Sequence, residues 1–328
     1  MQNIATRISL VFAAILLGIS VLTPLLAQAQ SSDGAASNLQ VSPLRTSVTI
    51  DPGETKVVPV TIRNLSSNTV TLRAITNDFI AGDDESGQPS IILDENEYAP
   101  THSLKRYLQQ IDNVTLAANE EKAIPVTVVV PESAPSGGYY GAVRFVPADA
   151  GSAQVAIAPS VASLVLVRVA GDYRESLELK EFSIRQDGST KAFLTSGEKI
   201  TTVVRLENKG NVHVEPFGSV FVSKGNKTIY SAAINDTEPR GAILPDSTRK
   251  WEVPLENMTD FGKYTVSVTL GYGDANQTIE YERTIWVVPV LYLALAAGAL
   301  LIVLGVIVAI FLSIRSYKKK LLRQSRRR

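Results

Sequence analysis

The sequence predicts an all-β protein: two Ig-like β-sandwich domains in tandem plus one C-terminal transmembrane α-helix. Runs of β-branched residues alternate with polar ones, as in residues 264–270 (Tyr-Thr-Val-Ser-Val-Thr-Leu), which is typical of half-buried strands. Turn sequences such as Asp-Pro-Gly at 51–53 and Lys-Gly-Asn at 224–226 separate these runs at short intervals, as in β-sandwiches. Residues 287–314 carry no charge and are long enough to cross a bilayer.

Residues 1–29 are predicted to be a signal peptide. A single base, Arg7, precedes an apolar run over residues 8–26, and Ala-Gln-Ala at 27–29 offers the small residues that a signal peptidase accepts. The apolar run is long for a signal peptide, so an uncleaved anchor is the alternative. In both cases we expect the chain to be exported.

The second apolar segment, residues 287–314, predicts a single-pass membrane topology. Trp286 and Tyr292 stand where amphipathic rings favour the membrane interface, and the basic tail 315–328 holds eight bases and no acid. By the positive-inside rule the tail is cytoplasmic and the N-terminus and the sandwiches lie outside, facing the cell envelope. The tail is expected to be too short to fold and to act as a topological anchor.

Charge and cysteine usage exclude several classes of function. The 328 residues hold 32 bases and 32 acids, but residues 31–314 hold 23 bases against 32 acids, a net charge of −9. An acidic globular part argues against nucleic acid as a partner, because phosphates need a basic footprint. The chain has no cysteine, which excludes thiol catalysis and cysteine zinc sites and favours a bacterial exported protein.

An internal repeat predicts two domains, at residues 39–170 and 171–286. Gly53 and Asn64 recur 144 residues later as Gly197 and Asn208, each pair enclosing an alternating strand. A second match, Pro131 to Tyr140 against Pro254 to Tyr264, has the form of a tyrosine corner, in which a phenol bonds back to a loop carbonyl. We therefore predict structural tyrosine corners at Tyr140 and Tyr264; ligand contact is the alternative role of these residues.

Several motifs together resemble a known family. They are Ser-Pro-Leu-Arg at 42–45, Asp-Pro-Gly-Glu at 51–54, Asn-Asp-Phe at 77–79 before an acidic loop, and Val-Pro-Glu-Ser-Ala-Pro-Ser-Gly-Gly-Tyr-Tyr-Gly-Ala at 130–142. These resemble the bacterial surface proteins that interact with WxL-domain proteins. The resemblance implies a signal peptide, a first Ig-like domain that binds peptidoglycan, a second that binds a host or partner protein, a transmembrane helix and a basic tail. A looser resemblance is to periplasmic pilus chaperones, which are soluble.

Catalysis is not expected, and neither is a cofactor. The two histidines, His102 and His213, lie in different predicted domains, and neither a Gly-x-Ser-x-Gly nor a His-Glu-x-x-His motif is present. His213 follows a turn and is expected on a strand surface. Residues 102–111 form the one plausible short helix of the sandwiches.

Two groups of residues are candidate sites in the first domain. One mixes aromatic rings with hydrogen-bond donors, as glycan sites do, or else caps one end of the sandwich; it comprises Tyr98, His102, Lys105, Arg106 and Tyr107. The other is the acidic loop Asp83, Asp84 and Glu85, which could supply oxygen ligands to Ca²⁺ or be a solvated hairpin.

Two functions follow. The first is an envelope surface protein that binds or scaffolds peptidoglycan or other surface proteins. The second is a membrane-tethered chaperone for assembly of secreted subunits, which would expose an unpaired edge strand and a basic anchor, for which Arg45 is the candidate.

Overall fold

The structure, a computed structural model, describes residues 38–148, 160–196 and 199–325, with side chains described as far as residue 316. The predicted signal peptide and the repeat residue Gly197 lie outside the described residues. The predicted fold class is confirmed, since the described chain forms two β-sandwiches followed by one helix.

The first sandwich is formed by nine strands: β1 (Leu39–Ser42), β2 (Arg45–Ile50), β3 (Thr55–Asn64), β4 (Val70–Ala81), β5 (Pro89–Ile91), β6 (Val114–Leu116), β7 (Glu121–Val129), β8 (Gly137–Pro147) and β9 (Val161–Val169). A three-stranded sheet, β1-β3-β7, faces a larger one in the order β2-β9-β8-β4-β5, with β6 also on β4. Strand β2 pairs with β9 in parallel, and the other pairs are antiparallel.

The second sandwich is formed by seven strands: β10 (Leu177–Gln186), β11 (Ile200–Asn208), β12 (Phe217–Lys224), β13 (Lys227–Ile234), β14 (Thr248–Leu255), β15 (Gly262–Tyr272) and β16 (Gln277–Val287). Its sheets are β10-β11-β14 and β13-β12-β15-β16. Strands β10 and β16 are edges of their sheets, and residues of both line one groove, so they lie on the same side of the sandwich.

Each sandwich has its own aliphatic core. Alternate residues of the facing sheets contribute to it, such as Val60 of β3 and Val167 of β9, both without solvent exposure. Val204 and Val268 take the corresponding places in the second sandwich. Burying a side chain of this size contributes roughly 1.5–3 kcal/mol, so the alternation read from the sequence is the main stabilising feature.

The repeat has a structural basis in two buried asparagines that end equivalent strands. Asn64 donates from Nδ2 to the carbonyls of Asn68 and Ala117 at 2.7 and 2.8 Å. Asn208 does the same to Val212 and Ile243, at 2.7 and 2.8 Å. Since a buried amide without partners would be costly, these positions require asparagine for the turn that follows the strand.

The tyrosine corner of the first sandwich is formed by Tyr139, not by Tyr140 as predicted. Tyr139 donates to the carbonyl of Pro135 at 2.9 Å, and Tyr264 donates to that of Asp260 at 3.0 Å, each four residues upstream. The repeated glycine is Gly137, whose φ of 148° matches the 149° of its counterpart in the second sandwich. The prediction for the first sandwich was therefore displaced by one residue, and Tyr140 points to the opposite face of β8.

The C-terminal helix, α1 (Val290–Ser325), begins three residues later than the predicted span. Val287 still belongs to β16, and Val288 donates a backbone hydrogen bond to Leu194, so the sheet extends almost to Pro289. Residues Val290–Ser316 are long and apolar enough to cross a membrane, and they are not buried against the sandwiches. The helix continues to Ser325, so most of the basic tail extends it, in contrast to the expected unfolded tail.

Candidate functional site

A buried carboxylate organises the long connection after β5. Asp78 has no solvent exposure, and its two oxygens accept hydrogen bonds from the backbone N–H groups of Ala99 and Lys105, at 2.9 and 2.8 Å. The neighbouring Asn77 donates to the carbonyl of Ile92 at 2.8 Å. These two side chains from β4 thus hold residues 92–105 against the sandwich, which explains why Asn-Asp appears at the end of a core strand.

Three of the five predicted ligand-binding residues meet on this connection. The Tyr98 ring, 44% exposed, lies 4.4 Å from the Lys105 ammonium and 4.6 Å from the Arg106 guanidinium carbon, measured to the ring centre. Lys105 also donates to the carbonyls of Glu95 and Glu97, at 2.6 and 2.8 Å, which fixes its side chain. The aromatic ring therefore contacts two cations, one of which is held in place by the backbone.

Tyr98 and Lys105 line a groove of about 390 Å³ over the outer face of β4. Its other polar side chains are the ion pair Arg73–Glu95, at 2.8 Å, and those of Thr76, Gln110 and Asn113. One aromatic face with surrounding amide, guanidinium and ammonium donors is suited to a sugar ring and to carboxylates.

His102 and Tyr107 do not take part in the groove. His102 donates from Nδ1 to the carbonyl of Gly138 at 2.6 Å, and its ring lies next to Tyr139 and Tyr140. Tyr107 packs against Tyr139 in a tilted arrangement, with ring centres 4.9 Å apart. Both residues dock the connection onto β8. The short helix expected over 102–111 is wrong, because only a 3₁₀ turn over Lys105–Tyr107 forms there.

The acidic loop links the two sandwiches and does not form the predicted calcium site. Glu85 forms a two-pronged ion pair with Arg205 of β11, and its carbonyl accepts the backbone N–H of Lys250 at 2.9 Å. Asp84 accepts hydrogen bonds from Ser86, and no group of metal-ligating side chains occurs in the described ranges. The guanidinium of Arg205 lowers the pKa of Glu85, so the pair stays charged at neutral pH.

Two arginines at the junction of the sandwiches are also paired. Arg45, the candidate chaperone anchor, donates to Glu215 of the second sandwich at 2.7 Å. Arg168 of β9 reaches Asp274 at 2.5 Å and Glu175 at 3.3 Å. A free basic anchor for a partner's carboxylate is therefore not present at either arginine.

His213 is buried, in contrast to its predicted place on a strand surface. It is 4% exposed, its Nε2 lies 3.0 Å from the Ser47 hydroxyl, and its ring meets the Tyr140 ring edge-on at 5.7 Å. Burial lowers its pKa to about 4, with Arg168 and Arg45 adding to the effect. His213 is neutral at pH 7, and its Nδ1 has no partner among the described residues, so no carboxylate completes a catalytic triad.

An aromatic cluster lies where the second sandwich meets the helix. Phe261, before β15, is 50% exposed and lies 5.9 Å from Trp286 and 5.5 Å from Tyr292 between ring centres. Trp286 and Tyr292 were expected at a membrane interface, and Phe261 was missed because a lone phenylalanine in a loop gives no sequence signal. Exposed rings at this position are suited to a lipid headgroup layer.

The sequence matches no protein-family model and no curated protein. Among solved structures the fold is similar to that of the class 5 fimbriae chaperone CfaA, at 14% identity over 76% of this chain and 99% of that chain, with a TM-score of 0.38. It is also similar to the Pseudomonas aeruginosa CupB2 chaperone (12%, 74% and 99%, TM-score 0.32) and to the E. coli chaperone DraB (14%, 75% and 97%, TM-score 0.33). These similarities are too distant to transfer a function.

Proposed function

We propose that this chain is a membrane-anchored cell-envelope surface protein that binds cell-wall peptidoglycan or other surface proteins, and that it is not an enzyme. The observation that carries the proposal is the groove beside Tyr98, where an exposed ring lies 4.4 Å from the Lys105 ammonium and 4.6 Å from the Arg106 guanidinium carbon, and two backbone carbonyls fix the Lys105 side chain. A preorganised site loses little conformational entropy on binding, which favours weak but specific recognition of a repetitive polymer.

The junction between the sandwiches supports a scaffolding role. Three ion pairs connect the two sandwiches: Glu85–Arg205, Arg45–Glu215 and Arg168–Asp274. In addition, the backbone N–H of Gly138 donates to the carbonyl of Asn211 at 2.7 Å. A shared apolar cluster includes Tyr140 on one side and Leu244 on the other. Several independent contacts of this kind favour a rigid arrangement of the two sandwiches.

The short connection to the helix supports anchoring of the two sandwiches at a membrane. Val288 and Pro289 alone separate β16 from α1. We predict that protease added to intact spheroplasts digests both sandwiches and leaves residues 315–328 protected, because eight bases resist translocation. Digestion of the tail in intact spheroplasts would contradict this topology.

Peptidoglycan is the preferred ligand because it combines sugar rings with carboxylate-bearing peptides, the groups that the groove is suited to accept. The resemblance to WxL-interacting surface proteins implies the same ligand for the first domain. The test is sedimentation of the full-length chain in detergent with purified peptidoglycan. We expect Tyr98→Ala to lower the bound fraction strongly, by about tenfold in affinity if one stacked ring contributes about 1.4 kcal/mol.

Tyr281→Ala is the matched control, because Tyr281 is 46% exposed on the second sandwich and does not line the groove. Arg106→Gln should weaken binding in the same direction as Tyr98→Ala. EDTA should have no effect, since Glu85 is paired with Arg205. Equal sedimentation of wild type and Tyr98→Ala, or a loss with EDTA, would refute the proposed site.

The second candidate function is a membrane-tethered chaperone for secreted subunits. It is favoured by the open outer edge of β16, which a subunit strand could extend, and opposed by the pairing of Arg45 with Glu215. Coexpression with secreted subunits separates the two functions. A chaperone raises the yield of folded subunit, whereas a scaffold leaves that yield unchanged.

A further inference from the structure

Strand β16 presents an open hydrogen-bonding edge. Its register with β15 is uninterrupted from Gln277 to Val287. The carbonyl of Trp286 points away from β15 and accepts a hydrogen bond from the backbone N–H of Leu194 at 2.8 Å. Backbone groups alternate between the two edges of a strand. Every second residue before Trp286 therefore directs its N–H and C=O groups to the same outer side, namely Thr284, Glu282, Glu280 and Thr278. In the described part of the chain these groups have no backbone partner.

A groove with an aliphatic floor and acidic walls lies beside this edge, between β16 and β10. It has a volume of about 310 Å³ and is lined by Leu177, Leu179, Ile279 and Tyr281, among others. The three aliphatic side chains are half-buried and pack against the core of the second sandwich. No backbone pairing joins β16 to β10 in the described chain, and single side-chain hydrogen bonds bridge the sheets on both sides: Arg283 of β16 to the carbonyl of Phe182 at 3.3 Å here, and Tyr230 of β13 to the carbonyl of Pro254 at 3.1 Å on the opposite side.

The charges along the edge are acidic. Glu280 and Glu282 are exposed and form no ion pair within the described ranges, and Glu178 lies across the groove. The nearby bases are engaged, since Lys180 contacts Glu178 and Glu207, and Arg283 donates to the carbonyl of Phe182 at 3.3 Å. Arg283 keeps its positive charge but is turned toward β10, so an approaching strand meets Glu280 and Glu282 as two exposed carboxylates without an ion-pair partner among the described residues.

We propose that the outer edge of β16 is a docking site for an extended segment of a partner protein in which lysine or arginine alternates with apolar residues. The backbone of the segment pairs with Thr278 to Thr284, its apolar side chains enter the groove beside Leu179 and Ile279, and its bases face Glu280 and Glu282. This is β-strand addition, in which main-chain bonds give affinity and alternate side chains give specificity. It is a second site, separate from the groove beside Tyr98.

A second copy of this chain is a poor occupant of the same edge. Parallel or antiparallel pairing of β16 with itself brings Glu280 and Glu282 close to the same residues of the other copy, and like charges across a strand pair are destabilising. Antiparallel pairing also directs the two α1 helices in opposite directions, although each follows β16 after two residues. The charge pattern thus favours a basic partner.

The test measures binding of a fluorescent octapeptide of alternating valine and lysine to the full-length chain in zwitterionic nanodiscs. Wild type should bind it saturably, and should bind neither the valine–glutamate peptide nor a valine–lysine peptide with alternate N-methylated amides. Glu282→Pro removes an outward N–H while leaving the bonds to β15, and should weaken binding by about tenfold or more. Tyr98→Ala is the control and should bind as wild type does.

The double variant Glu280→Lys/Glu282→Lys guards against misfolding of the proline variant. It keeps the backbone edge and should exchange the preference, binding the valine–glutamate peptide more tightly than the valine–lysine peptide. Absence of saturable binding by wild type up to about 1 mM, or equal binding by wild type and Glu282→Pro, would overturn the proposal. Failure here leaves peptidoglycan binding by the first sandwich intact, so the two proposals fail separately.

Discussion

The burial of His213 between the sandwiches makes the protein less stable in mild acid. Its pKa falls from an ordinary value near 6.5 to about 4, chiefly because burial disfavours the charged ring. Between these values the unfolded chain binds a proton that the folded chain does not, so the folded state loses stability as pH falls from about 6.5 towards 4. Above about pH 6.5 the ring is neutral in both the folded and the unfolded chain, so His213 lowers the stability of the folded state only below that pH.

The size of the effect follows from the two pKa values. Because His213 is protonated in the unfolded chain but not in the folded one, the free energy of unfolding falls by about 2 kcal/mol between pH 7 and pH 5. Below pH 4 the total loss is about 3 kcal/mol. His213→Gln removes the titration while its side-chain carbonyl can still accept a hydrogen bond from the Ser47 hydroxyl, which lies 3.0 Å from Nε2 in the wild type.

The assay is chemical denaturation of the full-length chain in detergent at pH 7 and pH 5. Subtracting the pH dependence of His213→Gln from that of the wild type cancels the contributions of carboxylates such as Glu215, whose pKa is raised by burial. We expect a difference of about 2 kcal/mol in the loss of stability. Equal losses in both proteins would refute the inference that His213 is neutral and buried in the folded state.

The tyrosine corners give a second test of the fold. Tyr264→Phe should cost about 1 kcal/mol and Tyr264→Ala about 3 kcal/mol or more, measured by denaturant unfolding, because the first removes a hydrogen bond and the second also leaves a cavity. Tyr139→Phe should cost about as much as Tyr264→Phe, whereas Tyr140→Phe should cost less, since the buried Tyr140 hydroxyl has no partner among the described residues. An unchanged unfolding midpoint for Tyr264→Ala, or a larger loss for Tyr140→Phe than for Tyr139→Phe, would show that the corners are misassigned.

The features that sequence alone could predict are the ones set by local pattern. Alternation in residues 264–270 placed β15 because one face of a strand must be apolar and the other polar. The recurrence of Asn64 as Asn208 marked equivalent strand ends because a buried amide has few substitutes there. The Tyr139 corner was missed by one residue, since two adjacent tyrosines satisfy the same motif and only the direction of the strand distinguishes them.

The features that sequence could not predict depend on contacts between distant residues. Glu85 was interpreted as a calcium ligand because the sequence around it does not reveal its ion pair with Arg205 of the other sandwich. The sequence predicted that His213 is exposed, because its burial results from the packing of the second sandwich against Tyr140 of the first. Tyr98, Lys105 and Arg106 were found together because they are close in sequence, but the buried Asp78 that positions their loop was not recognised.

The most direct test of the account is hydrogen–deuterium exchange of the full-length chain with and without a soluble peptidoglycan fragment. We predict protection of residues 92–113, which form the rim of the groove, with little change in β16 or in the acidic loop. The same experiment on Tyr98→Ala should show no protection. Protection confined to residues 277–287, or the same protection of 92–113 in wild type and Tyr98→Ala, would contradict the claim that the groove of the first sandwich is the wall-binding site.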